Sequence, residues 1–321
     1  RPETAPGGAG AWLPGLKEQL GELRRLRLQS SAEGVTLVHG AAGWGVEERA
    51  GYPADFGQLE KLLEALANAQ LGERKTAKPE FFDRLGLTDI EQPDSEAVQL
   101  EIWVAGEEPI VNVLLGKPAQ GRGGRYVRAV ADNQTWLIDT APETMTNPAD
   151  WIERSLLGVD FSRVASVSRA LAGKTEFTAE RASAAGDTSL APADVPPGKV
   201  PRYLSVFDTA ARAILSAEAE DARKAAQLDF SAAAETVIAC FDGLRITARA
   251  IKEQDGSWVT LAAEAGEALA AQPPGPDAVQ ELAPDEQAPA PKATDPAAVQ
   301  AEAARLNARF EGWAFKVSDY V

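Results

Sequence analysis

VQLEIWVAGEEPIVNVLLGKPAQGRGGRYVRAVADNQTWLI, residues 98–138, alternates apolar and polar side chains in four successive runs. Leu100, Ile102 and Val104 take every second position of the first run, and Ile110 to Leu115 make the second. Tyr126 to Val130 and Thr135 to Ile138 make the third and fourth, with Asp132-Asn133 as the turn between them. A period of two sends alternate side chains to opposite faces of a pleated strand. Short strands joined by turns rather than by crossover helices predict an antiparallel meander.

Toward the N-terminus, Leu26 and Leu28 alternate as a strand, and Val35 to Val38, Gly40, Gly43, Trp44 and Val46 read as a hairpin. A short helical stretch, Leu16 to Leu23, precedes them. Asp55 with Gln58 three residues on makes a capping box, and Phe56, Leu59, Leu62, Leu63, Leu66 and Ala69 then share one helical face. A second short helix, Pro79 to Leu85, has Pro at its start and Gly86 just past its end. Asn147 with Pro148 predicts another helix, closed by Gly158, that turns Trp151, Ile152 and Leu156 to the core.

The same order recurs further on. Val164 to Ser168 and Thr175 to Arg181 read as a hairpin, and helical stretches lie between Leu204 and Gln227 after a loop at 183–201. Strands follow at Thr236 to Phe241, Leu244 to Ile251 and Trp258 to Ala262. Hairpin, helices and meander thus appear twice, at about 24–140 and about 163–263. The fold class is α+β: two similar halves, each a mostly antiparallel β-sheet with helices packed on it. Residues 1–15 read as a linker following an upstream membrane anchor, 16–160 as the first repeat and 161–321 as the second. Seven prolines at 271–296 predict a Pro/Ala-rich disordered insertion in that second repeat. Ala297 to Phe310 then reads as a helix, and Trp313, Phe315 and Val317 as a last strand returning to the second sheet.

Composition bounds the function. Hydrophobic content of 45% supports a real core, and a net charge of −16 disfavours nucleic acid and anionic lipid surfaces as partners. One histidine, His39, and one cysteine, Cys240, leave no second residue of either kind for a zinc site. A triad would have to use His39, which closes a strand-like run, and the Gly-x-Ser-x-Gly of a nucleophile elbow is absent. Cys240 sits in an apolar run as a small buried thiol. Gly116 to Arg125, with Lys117, Arg122 and Arg125, resembles a phosphate cradle but lacks the Gly-Lys-Ser/Thr ending and lies between strands, so it reads as a hairpin loop. Trp44, Trp136 and Trp258 follow turns at strand starts and read as core anchors. No catalytic, metal-binding or cofactor-binding residue is assigned.

Over nearly the whole chain the sequence resembles the domain of unknown function 4340 family. The likeness is carried by Trp12-Leu13-Pro14-Gly15-Leu16, Gly43-Trp44, Tyr52-Pro53-Ala54-Asp55, Lys75-Thr76 and Leu85-Gly86-Leu87. It continues through Tyr126-Val127-Arg128, Trp136-Leu137-Ile138, Trp151-Ile152, Leu156-Leu157 and Phe241-Asp242-Gly243-Leu244. The resemblance implies a protein on the periplasmic side of the inner membrane, held by one N-terminal helix absent from this chain. It further implies a non-catalytic accessory subunit, for binding or scaffolding, of a gliding-type ABC transport system, with the permease and auxiliary membrane subunit as partners. Sheet edges and the cleft between the halves would offer the binding surface. The competing expectation is an envelope hydrolase acting on glycan or peptide through paired carboxylates, with two acidic side chains facing each other in a concave pocket.

Overall fold

The computed structural model describes residues 10–121, 123–181, 189–195, 205–269 and 295–318. Arg122, the proline-rich span up to residue 294 and most of the 183–201 loop lie outside the described residues, as do Leu204 and the first nine residues of the expected linker. The chain forms two compact units, Arg1–Glu153 and Arg154–Val321. The division therefore falls ahead of the 160/161 boundary expected from the sequence.

In the first unit a short helix α1 (Leu16–Gln19) precedes the hairpin β1 (Arg25–Gln29) and β2 (Gly34–Gly40). Strands β3 (Gly43–Val46) and β4 (Tyr52–Pro53), helix α2 (Phe56–Asn68) and strand β5 (Leu71–Arg74) come next. Helix α3 (Phe82–Leu85) leads to the meander β6 (Val98–Trp103), β7 (Val111–Pro118), β8 (Arg125–Ala129) and β9 (Thr135–Ile138). All nine strands form one antiparallel sheet in the order β4-β3-β2-β1-β6-β7-β8-β9-β5. In-register rows on its inner face are fully buried: Val35, Leu28 and Leu100 make one, Leu37, Leu26 and Ile102 the next. The Asp55 carboxylate accepts from the Gln58 N–H to start α2, whose Leu59, Leu62 and Leu66 are buried as the helical spacing predicts. Part of the other face is closed by Phe82, Leu87 and Ala97 against Leu114. The Arg128 guanidinium lies 4.6 Å over the Phe82 ring and donates to the carbonyls of Leu87 and Asp132.

The second unit repeats the plan. Hairpin β10 (Val164–Leu171) and β11 (Lys174–Glu180) is followed by the short β12 (Ala191–Pro192), helix α4 (Ser205–Leu215) and strand β13 (Asp221–Lys224). The meander is β14 (Ala234–Cys240), β15 (Leu244–Glu253), β16 (Gly256–Ala265) and, after helix α5 (Pro296–Phe310), β17 (Trp313–Val317). The sheet order β12-β11-β10-β14-β15-β16-β17-β13 matches β2-β1-β6-β7-β8-β9-β5 of the first unit once the outermost short strands are set aside. In both, the strand after the helix crosses to the far edge beyond the last strand of the meander. The doubled architecture is therefore present in the topology. The second difference between the units is α5, placed before the fourth meander strand, which packs along β16. Asn307 there bonds both the N–H (2.8 Å) and the carbonyl (2.7 Å) of Ala263, taking the place of a neighbouring strand.

Three expectations need correction. The helix expected from Asn147 to Gly158 is a single 3-10 turn, Pro148–Trp151, with the Asn147 side chain capping Ala149. It stops there because the next residues are drawn into sheet-like pairing: Ala54 bridges Ile152 and the Glu153 N–H donates to Pro53. Helix was also expected through Gln227, but Asp221–Lys224 is strand β13. This Ala/Arg/Lys-rich run favours helix locally. Its backbone instead pairs with β17, and Arg223 and Lys224 lie over the Trp258 and Trp313 rings. Finally, Ala11 bridges Gln70 and the Trp12 N–H donates to Ala69, so the expected linker is already tied to the first unit at these positions.

Candidate functional site

The residues best suited to chemistry are engaged in packing. His39 on β2 stands opposite Trp44 on β3, with ring centroids 5.2 Å apart and stacked. Arg24 Nη1 lies 3.2 Å from His39 Nδ1. A guanidinium only donates, so the Nδ1 lone pair accepts and is occupied. Among the three tryptophans expected as anchors, Trp258 is fully buried, whereas Trp44 and Trp136 are only partly covered. The Gly116–Arg125 stretch is a hairpin connection, and two of its cations are engaged: Arg125 Nη1 donates to the Gly116 carbonyl at 2.6 Å, and Lys117 pairs with Glu96.

A concave surface of varied chemistry lies in the second unit, where β10, β11, β14 and β15 come together. Their ends floor a groove of about 640 Å³, within the range of small-ligand sites. One rim is the Ser189–Ala193 segment and the other is Gly266–Leu269. The second rim is stitched down by the Gly266 N–H to Gly243 (2.8 Å) and the Leu269 N–H to Phe241 (2.9 Å). Gly243 is required there. Its φ is +94°, and a Cβ would sit 2.5 Å from the Gly266 carbonyl oxygen. Gly243→Ala is therefore expected to destabilise the second unit by about 2–3 kcal/mol through left-handed strain and displacement of the rim. Denaturant unfolding of the full chain checks this; a loss under about 0.5 kcal/mol would show that the rim yields freely.

Cys240 borders the groove at the end of β14 and is 0% exposed, its side chain on the same strand face as the buried Ile238. Burial, followed by the nearby Asp242 carboxylate, pushes its thiol up to about 12. A thiol so held is no nucleophile at neutral pH. Next to it, Arg163 Nε donates to Asp242 (2.7 Å), and its two terminal nitrogens grip Glu302 of α5 at 2.9 and 2.7 Å. The Glu302 bonds, then the Asp242 bond, hold the Arg163 guanidinium well above its usual value against the opposing effect of burial. This fork pins α5 to the β14–β15 turn, and sequence reading missed it because its members come from three distant segments. Both carboxylates act as acceptors of one guanidinium, the part of a structural ion pair. The carboxylates that are displaced, Asp160, Asp229 and Asp255, are all held low by hydrogen-bond donors: the Ser162 hydroxyl and N–H, the Ser231 N–H and hydroxyl, and the Trp258 indole N–H. That direction is opposite to what a catalytic general acid needs.

One edge of each sheet is a poor docking strand. Both β4 and β12 have two residues and end in Pro53 and Pro192, which removes a donor and blunts strand addition. No helix among the described residues is long and apolar enough to cross a membrane.

Fold and site together define a two-unit α+β protein in which one sheet topology is repeated and a groove opens on the second sheet. A family model described as domain of unknown function (DUF4340) matches residues 44–230, more than half of the chain, and the protein belongs to that family. No curated protein and no solved structure matches it.

Proposed function

We propose that this protein is a non-catalytic binding or scaffolding subunit on the periplasmic side of a bacterial inner membrane, accessory to a gliding-type ABC transport system. The observation that carries the non-catalytic part is the disposition of the single imidazole and the single thiol. His39 is stacked on Trp44 and bonded to Arg24, and Cys240 is a fully buried thiol. The transporter association and compartment rest on what the sequence resemblance implies and not on any side chain. For the competing hydrolase reading, Asp242 and Glu302 are two carboxylates brought together, and Arg163 binds both.

Affinity capture of the tagged, membrane-anchored protein from cells solubilised in mild detergent tests the proposal. A permease and an auxiliary membrane subunit are expected to co-purify in stoichiometric amounts. Recovery of neither, with the protein intact, would overturn the transporter assignment.

A further inference from the structure

The groove in the second unit has a polarity that its sheet register makes explicit. Glu180 on β11 is in register with Ser166 on β10, Ser166 with Ala239 on β14, and Ala239 with Arg245 on β15. These four residues form one row on the face opposite the buried row of Val167, Ile238 and Ile246. All four line the groove. Among the described residues, the floor between the two charges thus consists of two small side chains, Ser166 and Ala239.

Both charges are uncommitted. Among the described residues, neither Glu180 nor Arg245 makes an ion pair or a side-chain hydrogen bond. Glu264, the cross-strand neighbour of Arg245 on β16, is exposed and makes no bond to it. Arg181, deeper in the groove, is occupied: it lies 4.5 Å over the Phe161 ring and donates to the Phe161 carbonyl.

Three inter-strand spacings of about 4.8 Å separate the backbones of Glu180 and Arg245, roughly 14 Å in all. An extended peptide advances about 3.3–3.6 Å per residue, so three to four residues span about 10–14 Å. An ammonium at one end and a carboxylate at the other would meet partners of opposite sign, and a guanidinium is the preferred bidentate partner of a carboxylate. The exposed Leu269 on one rim and Pro192 on the other supply apolar contacts for side chains between the ends.

We propose that this groove binds a free oligopeptide of three to four residues, with its amino terminus at Glu180 and its carboxylate at Arg245. The site does not depend on the transporter assignment: it concerns the second unit alone and stands or falls whether or not membrane subunits co-purify.

The test is a titration of the 15N-labelled chain with trialanine and tetra-alanine. Each is supplied free at both ends, N-acetylated, C-amidated and blocked at both ends. Free peptides at millimolar concentration are expected to give saturable amide shifts at Ser166, Ala239, Gly243 and Gly266. Blocking either end is expected to weaken binding about tenfold or more, the worth of one charge-assisted contact. Arg245→Gln and Glu180→Gln, both at exposed positions, are expected to do the same, each abolishing sensitivity to the block at its own end. The proposal is overturned by an absence of saturable shifts, by equal binding of the doubly blocked peptide, or by sensitivity to the carboxyl block alone. The peptide arms use the unaltered protein, so they decide the matter even if a variant proves unstable.

Discussion

Trp258→Ala is expected to remove about 3–5 kcal/mol from the stability of the second unit, the cost of deleting a large buried aromatic side chain. Trp258 sits on β16 with none of its surface exposed, on the face away from α5. Across the sheet it stands between Ile251 and Lys316. Its indole N–H donates to Asp255 at 3.0 Å, and that bond is the main reason the Asp255 carboxyl is held low. Arg223 of β13 closes the arrangement, 4.4 Å over the ring and 2.6 Å from the second Asp255 oxygen. The indole therefore holds the edge strand as well as filling space. Trp258→Phe keeps most of the volume and loses the N–H, and is expected to cost about 1–2 kcal/mol. Denaturant unfolding of the full chain, read through the transition of the second unit, measures both. A loss for Trp258→Ala below about 1 kcal/mol would mean that the indole does not anchor β13.

The second large effect is expected at alkaline pH. Cys240 in the folded chain is pushed up to about 12, whereas a thiol in an unfolded chain titrates near pH 8.5. Between these values the unfolded chain has lost a proton that the folded chain retains. Stability is then whole below about pH 8.5 and falls as pH rises toward 12, by on the order of 4 kcal/mol. Cys240→Ala removes the titrating group. Its stability curve is expected to run flatter than that of the parent from pH 9 to 11, although it starts about 1 kcal/mol lower at neutral pH. Every other group is common to the two proteins, so their difference isolates the thiol. Parallel curves through that range would refute the assignment. The same burial predicts that thiol reagents leave Cys240 unmodified at pH 8 until the chain is unfolded.

Reading the groove from sequence alone was not possible. The small buried thiol of Cys240 was foreseeable from its apolar neighbours, and its strand borders the groove. Glu180 and Arg245, by contrast, are two charges among many, and no spacing marks them. They become a pair only because β10 and β14 place Ser166 and Ala239 between them. The Arg163–Asp242–Glu302 fork is similar, since it joins a turn before β10, the β14–β15 turn and α5.

Local pattern determined much of the rest. Period-two alternation settled the strands of both meanders, the Asp55–Gln58 capping box settled where α2 begins, and Gly86, at φ +66°, closes α3 where its position predicts. These features depend on residues a few positions apart, so the sequence by itself carries them, along with the repeated order and the family likeness. Tertiary structure decided which strand takes each sheet edge and which residues face the groove. Asp221–Lys224 shows the reason: its intrinsic preference for helix amounts to tenths of a kcal/mol per residue. Pairing with β17 and burial of Trp258 and Trp313 beneath its side chains outweigh that preference. Those partners lie on β16 and, past α5, on β17, outside any window in which local periodicity can be read.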